Sequence, residues 1–131
     1  MATQAQTEHP PNEHPRVLVV EDEFIIGLDL AETVSDLGYK VDGPHSGNKG
    51  AFRAIGEHMP DFAILDIFTD DGEVYPLADA LTAAGVPIVF HSGHVPPAEV
   101  RERYPNAQAA SKPCPPSELI DMIRKAIGTT H

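Results

Sequence analysis

Asp61-Phe-Ala-Ile-Leu-Asp66 is a short apolar run closed by an acid. Ala63, Ile64 and Leu65 are what a strand buried on both faces of a parallel sheet requires, and Asp66 falls where that strand emerges. The carboxyl edge of an open α/β sheet is where ligand crevices form. A second run, Arg16-Val-Leu-Val-Val20, ends the same way, in Glu21-Asp22-Glu23. Two adjacent buried strands ending in acids gather three or four carboxylates in one pocket. Such a cluster is costly unless a divalent cation neutralises it.

The rest of the chain alternates with these runs. Phe24 to Leu37 sets Ile26, Leu30, Val34 and Leu37 at helical spacing, with Gly38 as a left-handed stop. Tyr39 to Val41 reads as a short strand closed by Gly43-Pro44. Ser46 is placed to cap a helix running to about His58, with Ala51, Phe52 and Ile55 inward. The loop Ile67 to Glu73 holds the turn pair Asp71-Gly72. A third helix has Leu77, Ala80, Leu81 and Ala84 inward, and Pro87 to Phe90 is the fourth strand. His91 to Val95 reads as a loop, Pro97 to Tyr104 as a short helix, and Ala107 to Ala110 as a weak strand. Pro116 opens a last helix that ends at Ile127. Five strand–helix units in alternation predict an α/β fold: a flavodoxin-like three-layer α/β/α sandwich. Its five-stranded parallel sheet takes the strand order 2-1-3-4-5.

A length of 131 residues suffices for one domain. Residues 1–15 lack apolar periodicity and read as a disordered tail, 16–128 as the domain and 129–131 as a short C-terminal tail. A net charge of −11 argues against nucleic acid and against an anionic membrane surface as partners. No apolar stretch approaches the ~20 residues of a membrane span, and no apolar signal segment opens the chain. A single cysteine, Cys114, fits a reducing cytoplasm.

Every strand but the second ends in something polar at one edge: Glu21-Asp22, Asp66, Ser92 and Lys112. A dinucleotide site would have a Gly-rich turn after the first strand. Glu-Asp-Glu there repels a bare phosphate and attracts a hard cation such as Mg2+. Carboxylate, hydroxyl, lysine and metal together make a phosphoryl-transfer set. Asp66 would attack phosphorus to give an acyl phosphate, Mg2+ and Lys112 would offset charge on the equatorial oxygens, and Ser92 would donate to one of them.

Taken singly, each residue has a plainer reading. Asp22 can cap the first helix, Asp66 and Ser92 can be turn residues, and Lys112 can be merely solvated. Asp70 and Asp71 read as a solvated turn, Glu23 as a helix-dipole residue, and Cys114 as an inert, partly buried thiol. His91 and His94 are poorly spaced for a metal pair.

The co-occurrence decides between the readings. Val-Leu-Val-Val-Glu21-Asp22-Glu, Asp61-Phe-Ala-Ile-Leu-Asp66, Val-Phe-His-Ser92-Gly and Ser-Lys112-Pro113 resemble the four signatures of receiver domains of two-component response regulators. They stand in the right order, with separations of 44, 26 and 20 residues from Asp22 to Asp66, Ser92 and Lys112 in turn. The resemblance implies that Asp66 is the phospho-acceptor and Asp22 a direct Mg2+ ligand. Glu21 would hold the ion through water, and the Phe68 backbone carbonyl would also reach it. It makes Ser92 the switch hydroxyl and Lys112 the phosphate-binding lysine, with a cis bond to Pro113. It implies a phosphoryl donor on a sensor histidine kinase or histidine phosphotransfer protein, a downstream protein target, and a non-enzymatic role. With no output domain after the last helix, the chain resembles a single-domain, stand-alone regulator. Tyr-Pro-Leu-Ala-Asp-Ala-Leu and Gly-Val-Pro-Ile-Val-Phe are similar to small receivers associated with bacterial histidine kinases.

Three departures stand out. Ala109 occupies the place of the usual Tyr or Phe, Cys114 that of the Phe common after Lys-Pro, and the fourth helix is short and Pro-edged. That short helix weakens the usual homodimer face. A phosphorylation-independent adaptor or a phosphate sink is the alternative. A phosphatase with an Asp nucleophile is disfavoured, because the acid it needs two residues later is Phe68.

Overall fold

The computed structural model describes residues 14–127. The segments 1–13 and 128–131, read above as tails, lie outside the described residues. The elements are β1 (Arg16–Val20), α1 (Phe24–Asp36), β2 (Lys40–His45), α2 (Asn48–Glu57), β3 (Phe62–Leu65), α3 (Tyr75–Ala83), β4 (Ile88–Ser92), α4 (Pro97–Arg103), β5 (Gln108–Ser111) and α5 (Pro116–Ile127). A two-residue antiparallel ladder, Phe68–Thr69 with Gly72–Glu73, sits between β3 and α3. The five main strands pair in parallel in the order β2-β1-β3-β4-β5, as the alternation predicts.

Strand residues alternate between two cores. Leu18, Val20, Ala63, Leu65 and Phe90 pack with α2, α3 and α4, where Ile55, Leu77, Leu81 and Val100 are buried. Val17, Val19, Phe62, Ile64 and Val89 pack with Leu30 and Val34 of α1 and Leu119 and Ile123 of α5. A strand clothed on both faces leaves no polar alternation in its sequence. Each such side chain stabilises the fold by about 1.5–3 kcal/mol relative to exposure. Because both faces are filled, only the sheet's ends remain free for polar chemistry.

Some boundaries differ from the sequence expectation, each for a packing reason. Pro15, placed with the tail, is buried, and its carbonyl accepts from Lys40 N–H at 2.8 Å. β2 does not stop at Gly43-Pro44 but runs through them, with its pairing to β1 slipping between Leu18 and Val20. An edge strand tolerates proline and a bulge because one side of its ladder is unpaired. β4 continues through His91 and Ser92, which pair with Ala110 and Ser111. Phe52 and Ala84 point outward rather than in. α2 buries only Ala51 and Ile55, and Ala84 is the cap residue of α3, past its last inward turn at Leu81. Among the described residues no helix is long and apolar enough to cross a membrane.

Candidate functional site

The carboxyl ends of β1, β3 and β5 converge. Glu21 follows β1, with its N–H held by His45 carbonyl at 2.8 Å; Asp66 follows β3, with its N–H on Val20 carbonyl at 2.9 Å. These bonds extend the β2–β1–β3 ladder past the strand ends and fix both acids before any ligand arrives. Glu21 is 2 % and Asp66 4 % exposed, whereas Asp22 faces solvent. One carboxylate oxygen from each of Glu21, Asp22 and Asp66 lies within 4.8 Å of the others. Lys112, just past β5, is their internal counter-ion. Its Nζ donates to Glu21 Oε2 at 3.0 Å, Asp66 Oδ2 at 3.1 Å and Glu23 Oε1 at 3.3 Å. The Lys112–Pro113 bond is cis.

Two acids this close divide one burden. Burial, and then the charge of Glu21, push the Asp66 carboxyl up to about 7 against the pull of Lys112. Burial also opposes ionisation of Glu21. There the His91 imidazole, the Lys112 ammonium and the Glu23 N–H outweigh it and bring the carboxyl down to about 2. The pair is one strongly coupled unit in which Glu21 carries the charge and Asp66 tends to keep the proton. Burial disfavours the ammonium of Lys112, but its bonds to Glu21 and Asp66 raise its pKa above the ordinary range.

The donor set fits a small hard cation. All three groups are carboxylates, and Glu21 Oε1 is buried with no hydrogen-bond partner among the described residues. At 3.8 Å, His91 Nδ1 stands too far from that oxygen for a formed bond. Oxygen-only donors with one orphaned lone pair suit Mg2+ better than a soft metal.

Ser92 is buried at the end of β4, and its Oγ accepts from the N–H groups of His94 (3.1 Å) and Val95 (3.3 Å). It thus ties down the loop before α4. Phe68 opens the short ladder after Asp66, half-exposed, with its ring edge-on to His94 at 5.5 Å.

Two groups behave otherwise than the sequence suggests. Glu23 is not simply a helix-dipole residue, since it bonds Lys112. Asp70 and Asp71 are not merely a solvated turn. Asp71 accepts from Asn48 N–H at 2.7 Å and Lys49 N–H at 3.0 Å, capping α2 from another part of the chain, and Asp70 Oδ2 accepts the Ser46 hydroxyl at 2.8 Å. Ser46 therefore does not cap α2, which begins at Asn48 after Gly47. The N–H groups of Asn48 and Lys49 hold the Asp71 carboxyl below its ordinary pKa. No local signal marks this cap; only the acid pair after a strand hinted at it.

Comparisons with known proteins agree with this fold. No family model matches the chain. A 52-residue stretch, 40 % of the chain, is 38 % identical to the transcriptional regulatory protein PdtaR of Mycobacterium tuberculosis; the match spans about a quarter (25 %) of that relative's length. The receiver domain of the PhyR response regulator of Erythrobacter litoralis superposes with a TM-score of 0.77 at 25 % identity, over 88 % of this chain and 92 % of that one. The receiver domain of a modulated diguanylate cyclase from Desulfovibrio desulfuricans gives 0.75 at 27 % identity, over 88 % and 95 %. A CheY-like receiver from Methanospirillum hungatei shares the fold, with a TM-score of 0.77 at 21 % identity, over 88 % and 95 %.

Proposed function

Because the chain is a receiver domain of the response-regulator type, we propose that it accepts a phosphoryl group on Asp66 in a Mg2+-dependent reaction and so switches a protein–protein contact. One observation carries the reading: an ionisable carboxyl, a lysine and a three-carboxylate cation cage meet at one edge of the sheet.

Asp66 is the nucleophile. Its carboxylate oxygen attacks phosphorus as the donor's N–P bond breaks, and the donor imidazole leaves with a proton. Asp66 must first lose its own proton, which the raised pKa resists and a bound cation favours. Asp22, Asp66 and the Phe68 carbonyl would hold Mg2+, with Glu21 reaching it through water, and the ion would neutralise charge on the transferring oxygens. Lys112 already touches an Asp66 oxygen and needs no large movement to bind the phosphoryl group. Ser92 keeps its hydroxyl hydrogen to donate to that group. The donor is a phosphohistidine on a histidine kinase or phosphotransfer protein. An apolar patch on α1 beside the acids, with Phe24 and Ile25 over 70 % exposed and Leu28 also open, supports a docking surface for it.

The test is incubation with acetyl phosphate and Mg2+, read by intact mass, with Asp66→Asn as control. A phosphoryl adduct on the native chain alone supports the reading; an equal adduct on Asp66→Asn, or none with Mg2+ present, overturns it. A second reading, a sink or adaptor without a switched surface, is favoured by Ala109. It pairs with Phe90 in the sheet, where the ring covering Phe90 is Tyr104, at 5.0 Å between centroids. Amide shifts confined to the pocket on phosphorylation would select that reading.

A further inference from the structure

A cavity of about 650 Å³ lies on the α1 and α5 side of the acidic site. It opens between the first turns of α1 and the segment from Lys112 to Leu119. Its apolar wall includes Ile26 and Leu30 from α1 and Leu119 from α5, and Cys114 also lines it. A volume in this range suits a small organic molecule. Three features narrow its chemistry. Glu23, Asp29 and Glu32 line the cavity, while its one lysine, Lys112, is already shared among three carboxylates. His91, 4 % exposed, also lines it; its Nδ1 faces Glu21 Oε1 at 3.8 Å, while its Nε2 makes no hydrogen bond among the described residues. Buried polar groups in folded proteins are nearly always satisfied, so an unpaired imidazole nitrogen in a cavity wall marks a position for a ligand atom. Finally, the walls are apolar where they are deep, as Leu30 and Leu119 are buried.

We propose that this cavity binds a small amphipathic organic cation, its apolar body against Ile26, Leu30 and Leu119, its ammonium drawn to Asp29 and Glu32, and a hydrogen bond made to His91.

Cys114 is the chain's one cysteine and serves as a reporter. Its alkylation by iodoacetamide is followed by mass while three probes with a common indole body are titrated: tryptamine, the neutral tryptophol and the anionic indole-3-acetate. Tryptamine should slow alkylation saturably and shift the amides of Ile26, Leu30 and Leu119. Tryptophol should be weaker, and indole-3-acetate should have no effect. His91→Phe, and Asp29→Asn with Glu32→Gln, should each weaken tryptamine by roughly tenfold. Cys114→Phe should fill the cavity and abolish the amide shifts. The proposal is overturned if no probe protects Cys114 at millimolar concentration, if the anion binds as well as the cation, or if the shifts survive Cys114→Phe. Should Cys114→Phe misfold, the probe series and His91→Phe still decide.

Discussion

The two loops that flank Asp66 are secured in opposite ways. The loop after β3 is fastened to α2: Asp70 N–H donates to Ser46 carbonyl at 3.2 Å, Ser46 Oγ to Asp70, Asn48 and Lys49 N–H to Asp71, and Asn48 Nδ2 to Glu73 carbonyl at 2.8 Å. Among the described residues, the side-chain hydrogen bonds of the loop after β4 converge on one atom, Ser92 Oγ, which receives both His94 and Val95 N–H, and the Phe68 ring meets His94 from the other loop. That atom belongs to the hydroxyl we assign to the phosphoryl group. A rigid wall and a wall hung from the switching atom teach where motion starts. Phosphorylation should loosen or re-form the β4–α4 side while the β3–α3 side stays put.

The strongest way to break the contrast is at Gly47. A Cβ there would stand 2.1 Å from Asp70 Oδ1 and 2.7 Å from Asp71 Oδ1, so Gly47→Ala must push both carboxylates off their donors. Loss of a helix cap of this kind costs about 0.5–2 kcal/mol. Denaturant unfolding should show a loss of that size, and hydrogen exchange should speed up at Asn48 and Lys49. An unchanged midpoint would mean the wall is not rigid.

Ser92→Ala removes the tie on the other side. Losing a hydroxyl that serves two N–H groups costs about 1 kcal/mol. Exchange should rise at residues 93–96 and in α4 while residues 69–73 keep their protection. Faster exchange on both sides would erase the distinction.

Asp71→Ala is a milder form of the first change. It should lower the melting temperature less than Gly47→Ala does and fray only the first turn of α2. Because its bonds lower the Asp71 pKa, its contribution is present above the ordinary value of 3.8 and is lost as pH falls below it. The difference between Asp71→Ala and the native chain should therefore shrink in acid.

A last comparison is the pH dependence of the Mg2+-free protein. Asp66, raised from 3.8 to about 7, holds a proton in the folded state that the unfolded chain has released. Its contribution is full below 3.8 and is lost as pH rises through about 7. Glu21 acts in the opposite sense, but only below its ordinary value of 4.5. The melting temperature should fall from pH 5 to 8, and Mg2+ or Asp66→Asn should flatten that fall. Amide shifts along the titration should be larger at residues 93–96 than at 69–73. A decline that persists in Asp66→Asn would assign it to another group.

What the sequence disclosed follows from what is local. Val17 to Val20 and Ala63 to Leu65 read as buried strands because both faces are apolar, and the strand ends then put Asp22, Asp66 and Lys112 at one edge. Asp71 reaching α2 was hidden, because it joins residues 22 and 23 positions apart through a loop with no periodicity. Ser46 misled for the same reason: its hydroxyl had a stronger partner in Asp70 than the helix end it precedes. Gly43-Pro44 looked like a turn because those residues usually are, and only the edge position of β2 makes them strand. Glu23 looked local, yet its partner Lys112 lies 89 positions away.

The bond from Lys112 to Glu21 spans 91 positions, from one end of the domain to the other. A contact of such separation carries the entropy cost of closing the intervening chain. A chain still on the ribosome, or one whose last strand has not docked, holds its acids without their lysine. On the proposed function, competence to be phosphorylated would then belong only to a molecule whose first and last strands have joined the same sheet.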